Sequence, residues 1–130
     1  WAMPTTTPVQ FEPEPLRNSV RRMLAYDPQC MYLTHFGRVT DVTRMADQLL
    51  GQLDAMVALA TAMPALAAPI EQAASDARQA ALMQGFDAIH LKSLRDHGCT
   101  LSAERINDLL QLDNVLNAQG MGIWLNRLKR

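Results

Sequence analysis

The sequence predicts a mainly α-helical protein with one or two short strands, and three observations support this class. Apolar residues recur at helical spacing through most of the chain, and prolines or glycines stand where those periodic segments stop. Only one short run, Cys30–Thr34, is both apolar and β-prone. With 130 residues, of which 48% are hydrophobic and 19% charged, the composition is that of an ordinary folded domain.

Charge and hydropathy exclude two classes of partner. The chain has 12 Lys and Arg against 13 Asp and Glu, and a net charge of -1 does not favour nucleic-acid binding. The longest apolar stretch, residues 55–70, contains Thr61, Pro64 and Pro69 and is shorter than the roughly 20 residues that span a bilayer. We therefore expect neither nucleic acid nor membrane as a partner. Two cysteines and no secretory signal pattern predict a cytoplasmic protein.

The N-terminal region predicts an extended connector followed by a helix. Residues 1–10 contain two prolines and three consecutive threonines, which disfavour a helix. Because the chain begins with Trp1 rather than Met, we expect either natural residues upstream or a foreign Trp1-Ala2 pair. From Glu12 to Asp27 the apolar residues share one helical face, and Pro28 ends the pattern. That face consists of Leu16, Val20, Met23 and Leu24.

The segment Cys30–Thr34 predicts a buried strand that leads into a loop at His35-Phe36-Gly37. No other segment of the sequence has a strand pattern of comparable quality. Unpaired backbone groups cost about 1–3 kcal/mol each when buried, so the strand needs partners. We therefore expect the partner strands to come from outside this chain or from a second copy of it.

Two long helices are predicted next, packed as an antiparallel hairpin. Thr40 or Asp41 is expected to cap the first, which runs through Ala60 before Pro64 and Pro69 end it. The second is expected over residues 70–97. Gly98 stops it, and the small residues between Ala73 and Ala81 are expected to let the two helices approach closely.

The remaining sequence predicts two further helices. Ser102 is expected to cap the first of them, which continues through Ile106, Leu109 and Leu110. Asp113–Leu128 is expected as a separate last helix, weakened by two glycines.

His35 is the sharpest candidate for chemistry. A histidine at the end of a buried strand, followed by a glycine, is a rigid mount for a metal ligand or an acid–base group. The alternative is a hydrogen bond from His35 to its own loop. Zinc needs at least three protein ligands, and the other candidates do not complete a site: His90 and His97 are about 10.5 Å apart along a helix, and Cys30 lies on the opposite face of the strand.

Two other features have ordinary explanations. Cys99 beside His97 is expected to be incidental, and His97 is expected to interact favourably with a helix C-terminus. Methionines recur in the predicted helical hairpin, and we expect them to fill the core rather than to form an adaptable binding groove. They are Met45, Met56, Met63 and Met83.

Three segments resemble the C-terminal part of metallo-β-lactamase-fold hydrolases. They are Pro4–Pro13 (PTTTPVQFEP), Met31–Val39 (MYLTHFGRV) and Asp113–Leu125 (DNVLNAQGMGIWL), the last of which is similar to the tail of bacterial members. The resemblance runs from about residue 4 to the end of the chain, and the helical hairpin matches by pattern only.

The resemblance implies a fold, a metal and a role for one residue. It implies the C-terminal part of an αββα sandwich in residues 1–40, followed by a helical C-terminal region in residues 41–130. It also implies that His35 is the last ligand of a two-metal site, usually zinc, which generates a hydroxide for attack on an ester, thioester, amide or phosphoester bond. The family's His-x-His-x-Asp-His motif, its middle histidine and its bridging aspartate all lie upstream of residue 1, so the chain alone is expected to be inactive.

The expected partner is therefore the missing N-terminal half or a second copy of the chain, and a homo-oligomer is predicted. A different class of function stays open at this point: a helical self-association module whose long hairpin forms a dimer interface. A third hypothesis has the hairpin covering the mouth of an active site in the intact enzyme.

Overall fold

The computed structural model describes residues 1–8, 10–66 and 70–128. The prediction of a mainly helical protein with one or two short strands is confirmed. The elements, in chain order, are α1 (Pro13–Leu24), β1 (Met31–Leu33), β2 (Gly37–Val39), α2 (Val42–Ala62), α3 (Gln72–Asp96) and α4 (Ala103–Arg127).

Helices α2, α3 and α4 form a three-helix bundle in which α3 runs antiparallel to both neighbours. Arg44 near the start of α2 lies beside His97 at the end of α3, with 3.4 Å between the guanidinium and Nδ1. The α2–α3 hairpin is thus confirmed; Pro69, expected to help end α2, lies outside the described residues. The bundle core consists mainly of Leu53, Met56, Leu82, Phe86, Ala118, Met121 and Trp124.

The first residues of the chain are built into this bundle. Residues 1–8, called the N-terminal strap below, have no regular secondary structure and form hydrogen bonds with α2, α3 and α4. The buried Thr6 donates its backbone N–H to Asn117 Oδ1 (2.8 Å) and its hydroxyl to the Asn117 carbonyl (2.9 Å). Asn117 Nδ2 donates in turn to the Pro4 carbonyl (3.3 Å). These bonds satisfy buried polar groups of the strap that no regular element would pair.

Helix α1 packs beside α2 and agrees with the predicted helix to within a few residues. Arg17 of α1 pairs with Asp54 of α2 at 2.7 Å. Just before α1, the Phe11 ring meets Trp124 of α4 edge-on, with 5.9 Å between ring centroids. Phe11 and helix α1 are therefore held to the bundle by apolar contact and an ion pair.

The prediction of a buried strand with all its partners outside the chain is wrong. Strand β1 pairs with β2 of the same chain, in the antiparallel register Met31↔Val39, Tyr32↔Arg38 and Leu33↔Gly37. Its side chains are largely exposed. Gly37, at φ +85°, allows the chain to reverse directly after the turn. The Gly-Arg-Val sequence of β2 is too short and too polar to predict a strand.

The prediction of two separate C-terminal helices is also wrong, because α4 is continuous from Ala103 to Arg127. No proline or glycine stands between Leu110 and Asp113 to interrupt it. The predicted cap is confirmed, since Ser102 Oγ accepts a hydrogen bond from the backbone N–H of Arg105 (3.1 Å).

Two local expectations in the α2–α3 hairpin need correction. Asp41 is the N-cap residue of α2, but it has a left-handed φ of 55° and its side chain pairs with Arg44 instead of capping the helix. The close approach of α2 and α3 occurs at Gly85, where an added Cβ would lie 2.2 Å from Leu59 Cδ2. The alanines expected to serve this role, Ala73 to Ala81, are mostly exposed.

Candidate functional site: the exposed hairpin and its histidine

The hairpin of residues 31–39, with its flanking loop, carries the largest exposed aromatic side chains of the described structure. Tyr32 is 77% exposed and Phe36 is 82% exposed, and the nearby Tyr26 is equally open. Leu33 is 45% exposed. Such a concentration of exposed apolar groups on a small protein is typical of an interaction surface.

His35 lies in the middle of the three-residue turn that joins the two strands. The backbone N–H of Phe36 donates to the Leu33 carbonyl (3.2 Å), which closes the turn and defines the backbone on either side of His35. The imidazole is exposed and makes no hydrogen bond or ion pair with any residue that the structure describes. The alternative in which His35 bonds to its own loop therefore finds no supporting contact, and the side chain is accessible to a group from outside.

The described residues alone do not form a metal site. Among residues 1–8, 10–66 and 70–128, no three His, Cys, Asp or Glu side chains are grouped closely enough to hold a metal ion. Zinc requires at least three protein ligands, and His35 contributes one. Cys30 and Cys99 are both free and half-buried. The assignment of His35 as a metal ligand stays a prediction that depends on residues from elsewhere.

His90 belongs to a buried polar cluster between α3 and α4 that sequence reasoning missed. Asn114 Nδ2 donates to Asp87 Oδ1 (2.6 Å), whereas Asn114 Oδ1 and both ring nitrogens of the fully buried His90 have no hydrogen-bond partner in the described structure. Burial lowers the pKa of His90, and Asn114 and the negative charges of Asp87 and Asp113 act in the opposite direction. The spacing of Asp87 and His90 on one helical face is the only sequence signal for this cluster.

The other predicted sites prove to be structural. His97 is the exposed C-cap residue of α3, consistent with the predicted interaction with a helix C-terminus. Met56 is fully buried, and Met63 and Met83 pack against the core, so core filling by these methionines is confirmed. Met45 is half-buried.

Comparisons with known proteins add no family to these observations. No family model matches the chain, and no similar curated protein or solved structure is found. Among the described residues, no helix combines the length and the apolar character that crossing a bilayer requires.

Proposed function

We propose that this chain is the C-terminal part of a metallo-β-lactamase-fold hydrolase, in which His35 is one metal ligand and the β1–β2 hairpin docks onto an upstream half. The observation that supports the proposal is the position of His35: it is presented at the tip of a closed turn, without an internal partner, between exposed aromatic side chains.

The exposed hairpin favours docking because its apolar side chains would gain free energy on transfer from water into an interface. Burying an aromatic side chain contributes about 1.5–3 kcal/mol, and Tyr32 and Phe36 both lie in water here. Each strand of the two-stranded sheet also keeps an outer edge that its partner does not pair. In the proposed αββα sandwich, the upstream half supplies neighbours for these edges and a cover for these rings.

The metal chemistry belongs to the intact protein in this proposal. His35 contributes an imidazole, and the other ligands come from the upstream half, because the described part of this chain groups no three His, Cys, Asp or Glu side chains that could hold a metal ion. A bound two-zinc site would supply a hydroxide for hydrolysis of an ester, thioester, amide or phosphoester. No catalytic step is assigned to residues of this chain, and residues 41–130 act as the helical support.

Zinc titration tests the role of His35. The 130-residue chain and the chain extended by its natural upstream sequence are each titrated with zinc by calorimetry against a competing chelator. We expect weak or no binding by the short chain and tight binding by the extended one. His35→Asn is expected to weaken zinc binding by the extended chain at least tenfold, whereas His97→Asn, another exposed histidine, serves as the unchanged control. A tight stoichiometric site in the short chain would refute the proposal.

Hydrogen exchange tests the docking of the hairpin independently of zinc. The amides of residues 31–39 are expected to exchange rapidly in the short chain and to be protected in the extended chain. Phe36→Ser should reduce that protection without changing exchange in α2. Equal, rapid exchange of the hairpin in both chains would contradict docking onto an upstream half.

Self-association is a second candidate function, favoured by one face of α4 rather than by the α2–α3 hairpin. Leu109 is 53% exposed and Leu112 is 70% exposed, and Leu116 and Ile123 continue the same face at heptad-like spacing. Sedimentation equilibrium tests this idea: Leu112→Glu is expected to shift a dimer to monomer. A wild-type chain that is monomeric at high concentration would exclude it.

A further inference from the structure

We propose that a cleft between α3 and α4, lined by Arg78, binds a small organic anion through a carboxylate or phosphate group. The cleft has a volume of about 230 Å³. Its polar lining includes Ser75, Arg78, Gln119 and Asn126, and its apolar lining includes Leu82 and Ile123. This site does not depend on the metal site proposed above, and it lies entirely in the helical region and the strap.

Arg78 is a buried cation without an acidic partner. It is 8% exposed, and the ion pairs among the described residues involve Arg17, Arg44, Lys92 and Arg127 instead. Burial lowers the pKa of Arg78, and no neighbouring carboxylate opposes that effect. A guanidinium nevertheless remains protonated in proteins, so the positive charge is held in the cleft uncompensated.

The guanidinium uses only part of its hydrogen-bonding capacity. Arg78 Nη2 donates to Asn126 Oδ1 (2.8 Å) and, more weakly, to the Gly122 carbonyl (3.4 Å), both of which are neutral acceptors. The other two nitrogens have no hydrogen-bond partner among the described residues, and neither is fully enclosed by protein. Each of these two nitrogens can therefore donate a charge-assisted hydrogen bond to an oxygen of a carboxylate or phosphate.

The residues around Arg78 indicate which further groups a ligand of the cleft would carry. Ser75, one helical turn earlier, and Gln119 of α4 line the same cleft and offer a hydroxyl and an amide to an oxyanion. Leu82 and Ile123 give the cleft an apolar part. Because drug-sized ligands occupy pockets of roughly 300–1,000 Å³, a cleft of about 230 Å³ suits a small molecule with a short apolar group.

The test is an NMR titration of the 130-residue chain in the presence of a metal chelator, with hexanoate and inorganic phosphate as separate probes and chloride at equal ionic strength as the blank. We expect saturable shifts of the Arg78 Nε–H and the Gly122 amide with at least one probe, and the stronger probe identifies the headgroup. Arg78→Met is expected to weaken this binding at least tenfold. Arg105→Met, an exposed arginine of α4, should bind like the wild type.

A second variant separates a binding role from a structural one. Asn126→Asp places a carboxylate where Asn126 Oδ1 now accepts from Arg78, so the cleft would hold its own anion. We expect a higher Tm without ligand and at least tenfold weaker binding of the probe. Combining it with Arg78→Met should remove the gain in Tm.

Phosphate stabilises many proteins without binding, so the saturable shifts and the loss of binding in the variants decide the question. The proposal is overturned if neither probe gives a saturable response in the wild type. It is equally overturned if Arg78→Met, or Asn126→Asp where Arg78→Met does not fold, binds the probe as the wild type does. Zinc plays no part in either result, so failure here leaves the His35 proposal unaffected.

Discussion

The helical bundle and the β1–β2 hairpin contain similar apolar side chains, but the bundle buries them and the hairpin exposes them. Leu53 and Phe86 in the bundle are completely buried, whereas Tyr32 and Phe36 in the hairpin are about four-fifths exposed. A helix pairs its own backbone groups, so three helices can close a core within one chain. Two short strands pair only one edge each and enclose nothing. The three helices therefore close a core of their own, whereas the hairpin leaves its aromatic side chains in solvent.

The largest expected effect compares one leucine in each region. Leu53→Ala removes a fully buried side chain from the core and is expected to reduce the free energy of unfolding by about 2–5 kcal/mol. Leu33→Ala makes the same chemical change in the hairpin and should cost about 1 kcal/mol or less. Urea unfolding monitored by circular dichroism measures both. If both variants lose the same free energy of unfolding, the hairpin is part of the cooperative core and does not differ from the bundle in the way described above.

The next effect concerns how tightly the N-terminal strap is packed. A Cβ on Gly120 would lie 1.7 Å from the Thr6 carbonyl oxygen, so Gly120→Ala must displace backbone. We expect a loss of about 1–3 kcal/mol in the free energy of unfolding. At Gly51, also within a helix, a Cβ meets no atom within 4 Å, and Gly51→Ala should stabilise by up to about 1 kcal/mol. A neutral Gly120→Ala would show that the strap does not lie on α4.

A pH effect on stability is expected from the buried His90. Because burial lowers the pKa of His90 in the folded protein below the unfolded value of about 6.5, the unfolded state takes up the proton first as the pH falls. Above about pH 6.5, titration of His90 should not change the free energy of unfolding. As the pH falls below about 6.5, the free energy of unfolding should decrease until the pH reaches the pKa of His90 in the folded protein. The slope approaches at most about 1.4 kcal/mol per pH unit.

Urea unfolding at a series of pH values measures this dependence. His90→Gln is expected to remove the contribution of His90 to the slope. If His90→Gln and the wild type lose stability in parallel below neutral pH, the buried imidazole is not responsible.

The smallest expected effect on stability comes from removing the N-cap of α4. Ser102→Ala removes the hydrogen bond that the Arg105 N–H donates to Ser102 Oγ and should cost about 1 kcal/mol. Ser19 lies inside α1 and donates to the Pro15 carbonyl, so Ser19→Ala is expected to be neutral or slightly stabilising. Thermal unfolding of both variants distinguishes a capping serine from a serine inside a helix. An equal fall in Tm for the two variants would show that the Ser102 cap does not stabilise α4.

Local patterns were sufficient to predict most of the helices but not their contacts. Apolar spacing and the residues Pro28, Gly98 and Ser102 predicted α1 to α3 and the start of α4, since periodicity, breakers and caps act within a few residues. The division of α4 between Leu110 and Asp113 was wrong, and the two glycines expected to weaken its last part do not interrupt it. Gly120 instead makes room for the strap, a contact between residues more than a hundred positions apart.

The candidate sites likewise divide into those that local sequence indicates and those that depend on contacts between distant residues. His35 was found from its neighbours in sequence, and its place beside a strand end was predicted correctly. That β1 would pair with β2 and remain exposed was not predictable from a three-residue Gly-Arg-Val segment. The sequence contained no signal for the Arg78 cleft and only the Asp87–His90 spacing for the buried polar cluster, because Asn126 and Asn114 of α4 lie more than twenty residues from the α3 residues they bond.

The sequence by itself determined the helical class, the position of most helix ends and the identity of His35 as the residue to test, because each depends on short-range backbone preferences and periodic burial. Only the tertiary structure decided that Thr6 of the strap is buried, that Arg78 has no acidic partner among the described residues and that the aromatic side chains of the hairpin stay in solvent. Burial and charge compensation depend on which distant residues meet, and that is settled by how the helices pack.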